Sequence, residues 1–253
     1  MIFLKSPEEV EAIRSANLIV AEVHKALKEA VQPGVTTADL DWIAEEGARR
    51  RGATPAFKGY SVGQKVFPAS LCSSVNNEVV HGIPSARRVL KEGDIVSLDF
   101  GVLYQGYYGD AAVTVAVGRV AEETRRLMQV TEEALYAAIE VARVGNRVGH
   151  LSAMVQMIAE RAGFSVVREY VGHGVGRQLH EEPQVPNFGT PDSGVPLQEG
   201  MVLAIEPMVN AGSPDVYVTD DGWTAVTADG SLSAHFEHSI AITKNGPYIL
   251  SQL

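Results

Sequence analysis

A chain of 253 residues, 45% hydrophobic and 21% charged, has the composition of a soluble globular enzyme and room for one large domain or two small ones. Its net charge of −10 argues against nucleic acid as the main ligand, which would call for a basic patch, while an acidic surface suits a cationic amine or is simply solvated. One cysteine, Cys72, rules out an intrachain disulfide, and no signal-peptide core or apolar run of about 18 residues is present, so a cytoplasmic location without a membrane partner is expected.

Ser6, Pro7 and Glu9 form an N-terminal capping signature, followed by Val10, Ile13, Val20, Val23, Leu27 and Val31 at helical spacing. Pro33-Gly34 ends this helix. Thr36 and Asp39 start a second one, whose apolar face is Leu40, Ile43 and Ala44. Arg49, Arg50 and Arg51 before Gly52 read as its C-terminus rather than as a binding patch. From residue 55 the texture changes to strands and turns. Segments 94–104 and 107–118 are strand-like, and Gln105-Gly106 between them signals a hairpin turn. Helical periodicity returns over about 121–162 and breaks at Gly145-Asn146. Strands are expected again at 165–171, 201–209, 215–219, 223–227 and 236–243, with turns at Asp220-Asp221-Gly222 and Asp229-Gly230. Helices then strands, twice over, predict an α+β fold of two similar halves, with helices over one face of a curved antiparallel sheet. No low-complexity linker interrupts residues 1–253, so a single domain is expected.

Four carboxylates stand in or beside apolar strand sequence: Asp99 in SLDFG, Asp110 in GYYGDAA, Glu206 in AIEPM and Glu237 in HFEHSIAI. A hairpin turning near Tyr104-Gln105 would set Asp99 directly opposite Asp110, with Cβ atoms about 5 Å apart, where two like charges need a neutralising partner. A shared metal ion supplies one; a surface acid beside a turn acid is the plainer alternative. Glu206 and Glu237 are hard to bury without a cation, although an arginine partner or a strand edge facing water would also serve. His173 lies in GHGVGR, where the glycines suit a tight ligand-bearing turn, or merely a polar loop. Together the four acids and one imidazole suit two divalent ions bridged by carboxylates, with Mn, Fe(II), Co or Zn all acceptable. His81 in EVVHGIP and His180 in LHEEPQVP could donate hydrogen bonds or move protons, or be satisfied structural histidines. His24, His150, His235 and His238 have no comparable context and read as structural or surface residues.

These residues carry a resemblance. NEVVHGIP, GDIVSLDFGV, GFSVVREYVGHGVGR, HEEPQVPNFG, GMVLAIEPMVNAG and DGWTAVTADGSLSAHFEHSIAIT are similar to the hallmarks of type I, bacterial-like methionine aminopeptidases, over nearly the whole chain. The resemblance implies the pita-bread fold, two pseudo-symmetric halves around a dinuclear metal site. It implies Asp99 as a ligand of one ion, Asp110 and Glu237 as bridges, and His173 and Glu206 as ligands of the other. It implies catalytic roles for His81, His180 and Glu206, and a methionine pocket lined by Cys72, Tyr60, Phe67 and Trp223. Cys72 also reads as an ordinary buried cysteine, and both descriptions can hold. Two departures fall at this pocket: the segment 60–72 is longer than in the commonest bacterial members, and Leu179 stands where an aromatic is usual.

The implied reaction removes the initiator methionine from nascent proteins and peptides with a small second residue, through attack by a metal-bridging hydroxide on the scissile carbonyl. A monomer and transient ribosome contact are implied as well. Proline-directed peptidases of the same fold usually carry a further N-terminal domain, for which about 98 residues before Asp99 leave no room. Type II methionine aminopeptidases carry a helical insertion, for which the 25 residues between His180 and Glu206 are too few. Non-catalytic binding proteins of this fold typically lose ligands, and all five are present here.

Overall fold

The structure, a computed structural model, describes residues 1–253. Helix α1 spans Pro7–Ala30 and α2 spans Thr37–Arg50. Both open with reciprocal caps: Glu9 N donates to Ser6 Oγ (3.3 Å) and Ser6 N to Glu9 Oε2 (3.1 Å), while Asp39 N donates to Thr36 Oγ1 (3.1 Å) and Thr36 N to Asp39 Oδ2 (2.9 Å). A second pair, α3 (Glu122–Glu140) and α4 (Val148–Arg161), is separated by the expected break around Gly145-Asn146.

Nine antiparallel strands form the main sheet. Its centre is the hairpin of Ile95–Tyr104 and Tyr107–Ala116. Cys72–Val75 pairs with the first of these, and Glu237–Thr243 with the second. Val202–Ile205, Val171–Gly174 and Glu181–Pro186 continue outward from Glu237–Thr243. The Glu181–Pro186 strand was not apparent in the sequence because Pro183 and Pro186 read as loop; it lies at the sheet edge, where a missing N–H is tolerated. Ser233–His235 and Gly246–Ile249 also went unseen, being too short to show an alternation.

Even-numbered residues of the central hairpin's first strand, Leu98, Phe100 and Val102, face the helices. They join Val20, Val23 and Leu27 of α1, Leu127 and Leu135 of α3, and Leu151 of α4 in the largest apolar cluster. Side chains on a strand alternate between faces, so Asp99 points the other way, to the face the helices leave open.

The hairpin register differs from the expected one. Tyr104 pairs with Tyr107, and the two residues between them, Gln105 (φ 50°) and Gly106 (φ 83°), form the turn. Positive φ at both central positions is the geometry that matches strand twist in a two-residue hairpin loop. Asp99 therefore pairs with Ala112 and Asp110 with Gly101, so the two aspartates are diagonal neighbours rather than direct partners.

The N-terminal segment is tied to the far edge of the sheet. Ile2 bridges Glu182, Lys5 N donates to Gly200 O at 2.7 Å, and the almost fully buried Lys5 Nζ meets Glu181 Oε2 at 2.5 Å.

Candidate metal centre and substrate cavity

Strand pairing alone gathers the acids. Cys72 pairs with Asp99, Asp99 with Ala112, and Ala112 with Glu237, forming one row across four strands. Directly paired residues share a face, and so do residues two apart. Asp110 therefore lies on the same face as the row, beside the small Ala112. Ala204 pairs with both Ser239 and His173, which adds His173, and Glu206, two positions after Ala204, completes the set. The ladder stops after Ile205, ahead of the Glu206-Pro207 corner, and Met208–Asn210 pairs in a separate three-stranded sheet.

His173 lies in a strand rather than in a tight turn. Its flanking glycines serve close packing: a Cβ on Gly172 would come within 2.4 Å of Ala204 O, and one on Gly174 within 2.4 Å of Glu182 O. Gly101 has a similar duty, since a Cβ there would lie 2.9 Å from the Phe57 ring and 3.1 Å from Asp110 Oδ1.

The row floors a cavity of about 560 Å³, within the usual range for small-molecule sites. Every residue singled out in the sequence borders it: Asp99, Asp110, His173, Glu206 and Glu237, then His81 and His180, then Cys72, Tyr60, Phe67 and Trp223. One wall is apolar, where Phe57, Phe67, Ala69, Cys72 and Leu179 pack together with Tyr60 and Trp223 against them. Phe67 meets Trp223 edge-on at 5.3 Å. Leu179 thus takes part in the pocket wall, and the short hairpin of Ser61–Val62 and Lys65–Val66 occupies the longer segment.

Electrostatically the floor is unfinished. Burial raises all four carboxyls, Asp99 to about 7 and Asp110, Glu206 and Glu237 well above the ordinary range, with their mutual repulsion adding to the shift in the last three. Asp99 is only half-buried by surface exposure, but the surface it shows is cavity wall. Asp110 Oδ1 and Glu237 Oε1 are buried without any partner.

His173 Nδ1 lies 2.9 Å from Gly174 O, and a carbonyl only accepts, so the ring proton sits on Nδ1. Burial lowers the His173 pKa to about 3, so Nε2 carries a lone pair. That lone pair faces Glu206 Oε1 at 3.5 Å and Asp110 Oδ2 at 3.8 Å. With the carboxyls ionised, acceptor faces acceptor, so these approaches are not ion pairs; a cation among them, whether a proton or a metal ion, makes the arrangement favourable. Ligand atoms of Asp110, His173 and Glu237 all lie within 4.8 Å of one another. The donor set of hard carboxylate oxygens and one imidazole, oriented by a backbone carbonyl, fits a divalent metal.

Both candidate catalytic histidines are held in defined settings. His81 follows the strand Glu78–Val80 with φ 61°, an unusual conformation for a residue with a side chain, and burial takes its pKa down to about 4. Tyr170 and Trp223 meet its ring edge-on at 5.4 and 6.4 Å. His180 is exposed at the mouth, 4.4 Å from the His173 ring, and its Nδ1 lies 2.8 Å from Tyr60 OH.

Two contributors escaped sequence reasoning. Asn17 on α1 is fully buried, and its Oδ1 accepts from Asp110 N at 3.1 Å, fixing that strand from the helix side. A polar residue on the apolar stripe of α1 was its only signal. His235, read as structural, places Nε2 3.7 Å from Glu206 Oε2.

A cluster of acids and a neutral imidazole that fits a divalent metal, beside an apolar wall on a curved sheet, is the site of a metal-dependent hydrolytic enzyme. The model of metallopeptidase family M24 matches residues 11–244, and the chain belongs to that family and has its pita-bread fold. It is 54% identical to a methionine aminopeptidase of Clostridium perfringens, over 99% of both chains. It is 51% identical to methionine aminopeptidase 1 of Bacillus subtilis, over 100% of both. The solved methionine aminopeptidase of Thermotoga maritima superposes with a TM-score of 0.97 at 49% identity, covering 100% of both chains. A prolidase of Pyrococcus furiosus shares the fold at a TM-score of 0.79 and 26% identity, covering 99% of this chain but 65% of its own.

Proposed function

We propose that the chain is a cytoplasmic, monomeric methionyl aminopeptidase with one catalytic domain over residues 1–253, removing initiator methionine ahead of a small second residue from nascent chains met at the ribosome. The observation that carries this reading is the junction of an apolar pocket with the acid floor inside one cavity. An unbranched thioether side chain suits a wall of aromatic rings and a sulfhydryl. Cys72 stays a neutral thiol there, because burial, then the Asp99 and Asp110 charges, push its pKa up.

Asp99 would hold one divalent ion, His173 and Glu206 a second, and Asp110 and Glu237 would lie between them; Mn, Fe(II), Co and Zn all suit these donors. Bound there, the ions acidify water and polarise the scissile carbonyl. Glu206, whose carboxyl burial raises, is suited to take a proton at one pH and return it to the departing amine. In the tautomer where Tyr60 OH donates to His180 Nδ1, the His180 proton sits on Nε2 and would bond the carbonyl oxygen as charge develops. Neutral His81 borders the same cavity and would assist the departing amine. Asp99 and the other acids attract the substrate's amine, which must shed its proton to act as a ligand.

Hydrolysis of Met-Ala-Ser against an X-Pro peptide, by metal-stripped protein with and without added Mn²⁺, tests the assignment. Metal-dependent release of methionine alone is expected; cleavage of only the X-Pro substrate overturns it.

A further inference from the structure

His235 is 1% exposed, does not border the cavity, and has no partner at either ring nitrogen. A buried polar group left unpaired costs about 1–3 kcal/mol, so an apolar residue would be the better filler if filling were its task. Its backbone cannot shift to relieve this. His235 N donates to Thr114 Oγ1 at 2.9 Å, and Thr114 Oγ1 donates to His235 O at 2.8 Å. Pairing with Met208 sets the imidazole beside the Glu206-Pro207 corner. There Nε2 stands 3.7 Å from Glu206 Oε2, about half an ångström beyond hydrogen-bond reach.

Glu206 is the partner free to close that gap. It lies past the end of its strand, and its side chain keeps 13% exposure toward the cavity. Its two oxygens have different neighbours. The lone pair of His173 Nε2 faces Oε1 from the cavity side, and His235 faces Oε2 from behind.

We propose that His235 is the positioning residue for Glu206: its Nε2–H donates to Oε2 from behind the cavity wall, so that Oε1 is the oxygen presented to a divalent ion shared with His173. The proposal rests on the metallopeptidase reading and adds to it a residue that touches neither ion nor substrate. Carboxylate ligands are commonly held by such an outer hydrogen bond, and losing it typically weakens metal binding by about 10–100-fold.

The test uses the full chain, stripped of metal and titrated with Mn²⁺ by calorimetry. His235→Gln retains a donor of nearly the same reach and should hold Mn²⁺ affinity within about threefold, while His235→Leu should lose about 10–100-fold. The Leu variant's metal-free Tm should be unchanged or higher, because the unpaired imidazole is gone, and its kcat should fall with little change in KM for Met-Ala-Ser. Wild-type Mn²⁺ affinity in the Leu variant overturns the proposal. Should that variant not fold, His235→Asn takes its place. Its shorter amide cannot reach Oε2, so it must bind Mn²⁺ more weakly than the Gln variant, and equal affinities overturn the proposal. Absence of Mn²⁺ binding by the wild type would instead overturn the metal centre itself.

Discussion

Glu237 and His238 are consecutive residues on one strand, facing opposite sides of the sheet, and their surroundings could hardly differ more. On the helix side, His238 has a partner at each nitrogen: Ser251 Oγ at 2.8 Å and Tyr136 OH at 3.2 Å. On the cavity side, Glu237 Oε1 is buried with none. His24 on α1 also leaves its Nε2 unpartnered, but as a single imidazole whose pKa burial takes down to about 3, not as one of several crowded anions. The helix side therefore leaves only isolated neutral groups unpaired, whereas the cavity side gathers buried acids that call for cations the chain does not supply.

Asp110→Asn tests that contrast most severely. Activity on Met-Ala-Ser should fall by more than about 100-fold, beyond the usual loss for an outer supporting residue. The metal-free Tm should rise, because one of several mutually repelling buried acids is gone. A drop in Tm would show the acids to be satisfied without metal.

The second test is the pH dependence of the metal-free protein. Asp99, raised from 3.8 to about 7, holds a proton in the folded chain where the unfolded chain has lost it. Its contribution to stability is present below pH about 4 and is lost as pH rises through about 7. The buried histidines His81, His173, His235, His24 and His238 are all lowered and act with the opposite sign, losing stability as pH falls below 6.5. Subtracting the wild-type Tm from that of Asp99→Asn cancels the histidines. That difference should grow from pH 4 to pH 7 and reverse in saturating Mn²⁺. A flat difference would refute the raised carboxyl.

Gly101→Ala comes next. Its new methyl meets the Phe57 ring and Asp110 Oδ1, which should destabilise the fold by about 1–3 kcal/mol, measured by urea unfolding, and weaken Mn²⁺ binding as well. His238→Ala should have the smallest effect, losing roughly 1–2 kcal/mol of stability through its two hydrogen bonds while kcat/KM is retained. A large loss of activity in this variant would mean that the two faces are coupled.

Much of this contrast was legible in the residues. Capping pairs at Ser6–Glu9 and Thr36–Asp39 placed both N-terminal helix starts, because caps are local chemistry. Carboxylates inside apolar strand sequence marked the floor, because burial of charge demands a partner whatever the fold. The alignment of Asp99 with Asp110 was misjudged, although Gln105-Gly106 had already been marked as the turn: centring the hairpin on those two residues gives the observed pairs. His235 and Asn17 were beyond reach for another reason. Each acts by contact with a residue distant in sequence, Glu206 or Asp110, and a single side chain in a strand or helix carries no mark of what folds against it.

The row from Cys72 through Asp99 and Ala112 to Glu237 also fixes lengths. Neighbouring strands lie about 4.8 Å apart, so the sheet works as a ruler that no side chain can stretch. Short acids sit on the two central strands, and the longer glutamates reach in from the Glu237 strand and from the corner after Val202–Ile205. Asp and Glu are therefore not exchangeable here. Swapping them at 110 and 237 would keep every charge and every strand in place, yet set both carboxylates at the wrong reach.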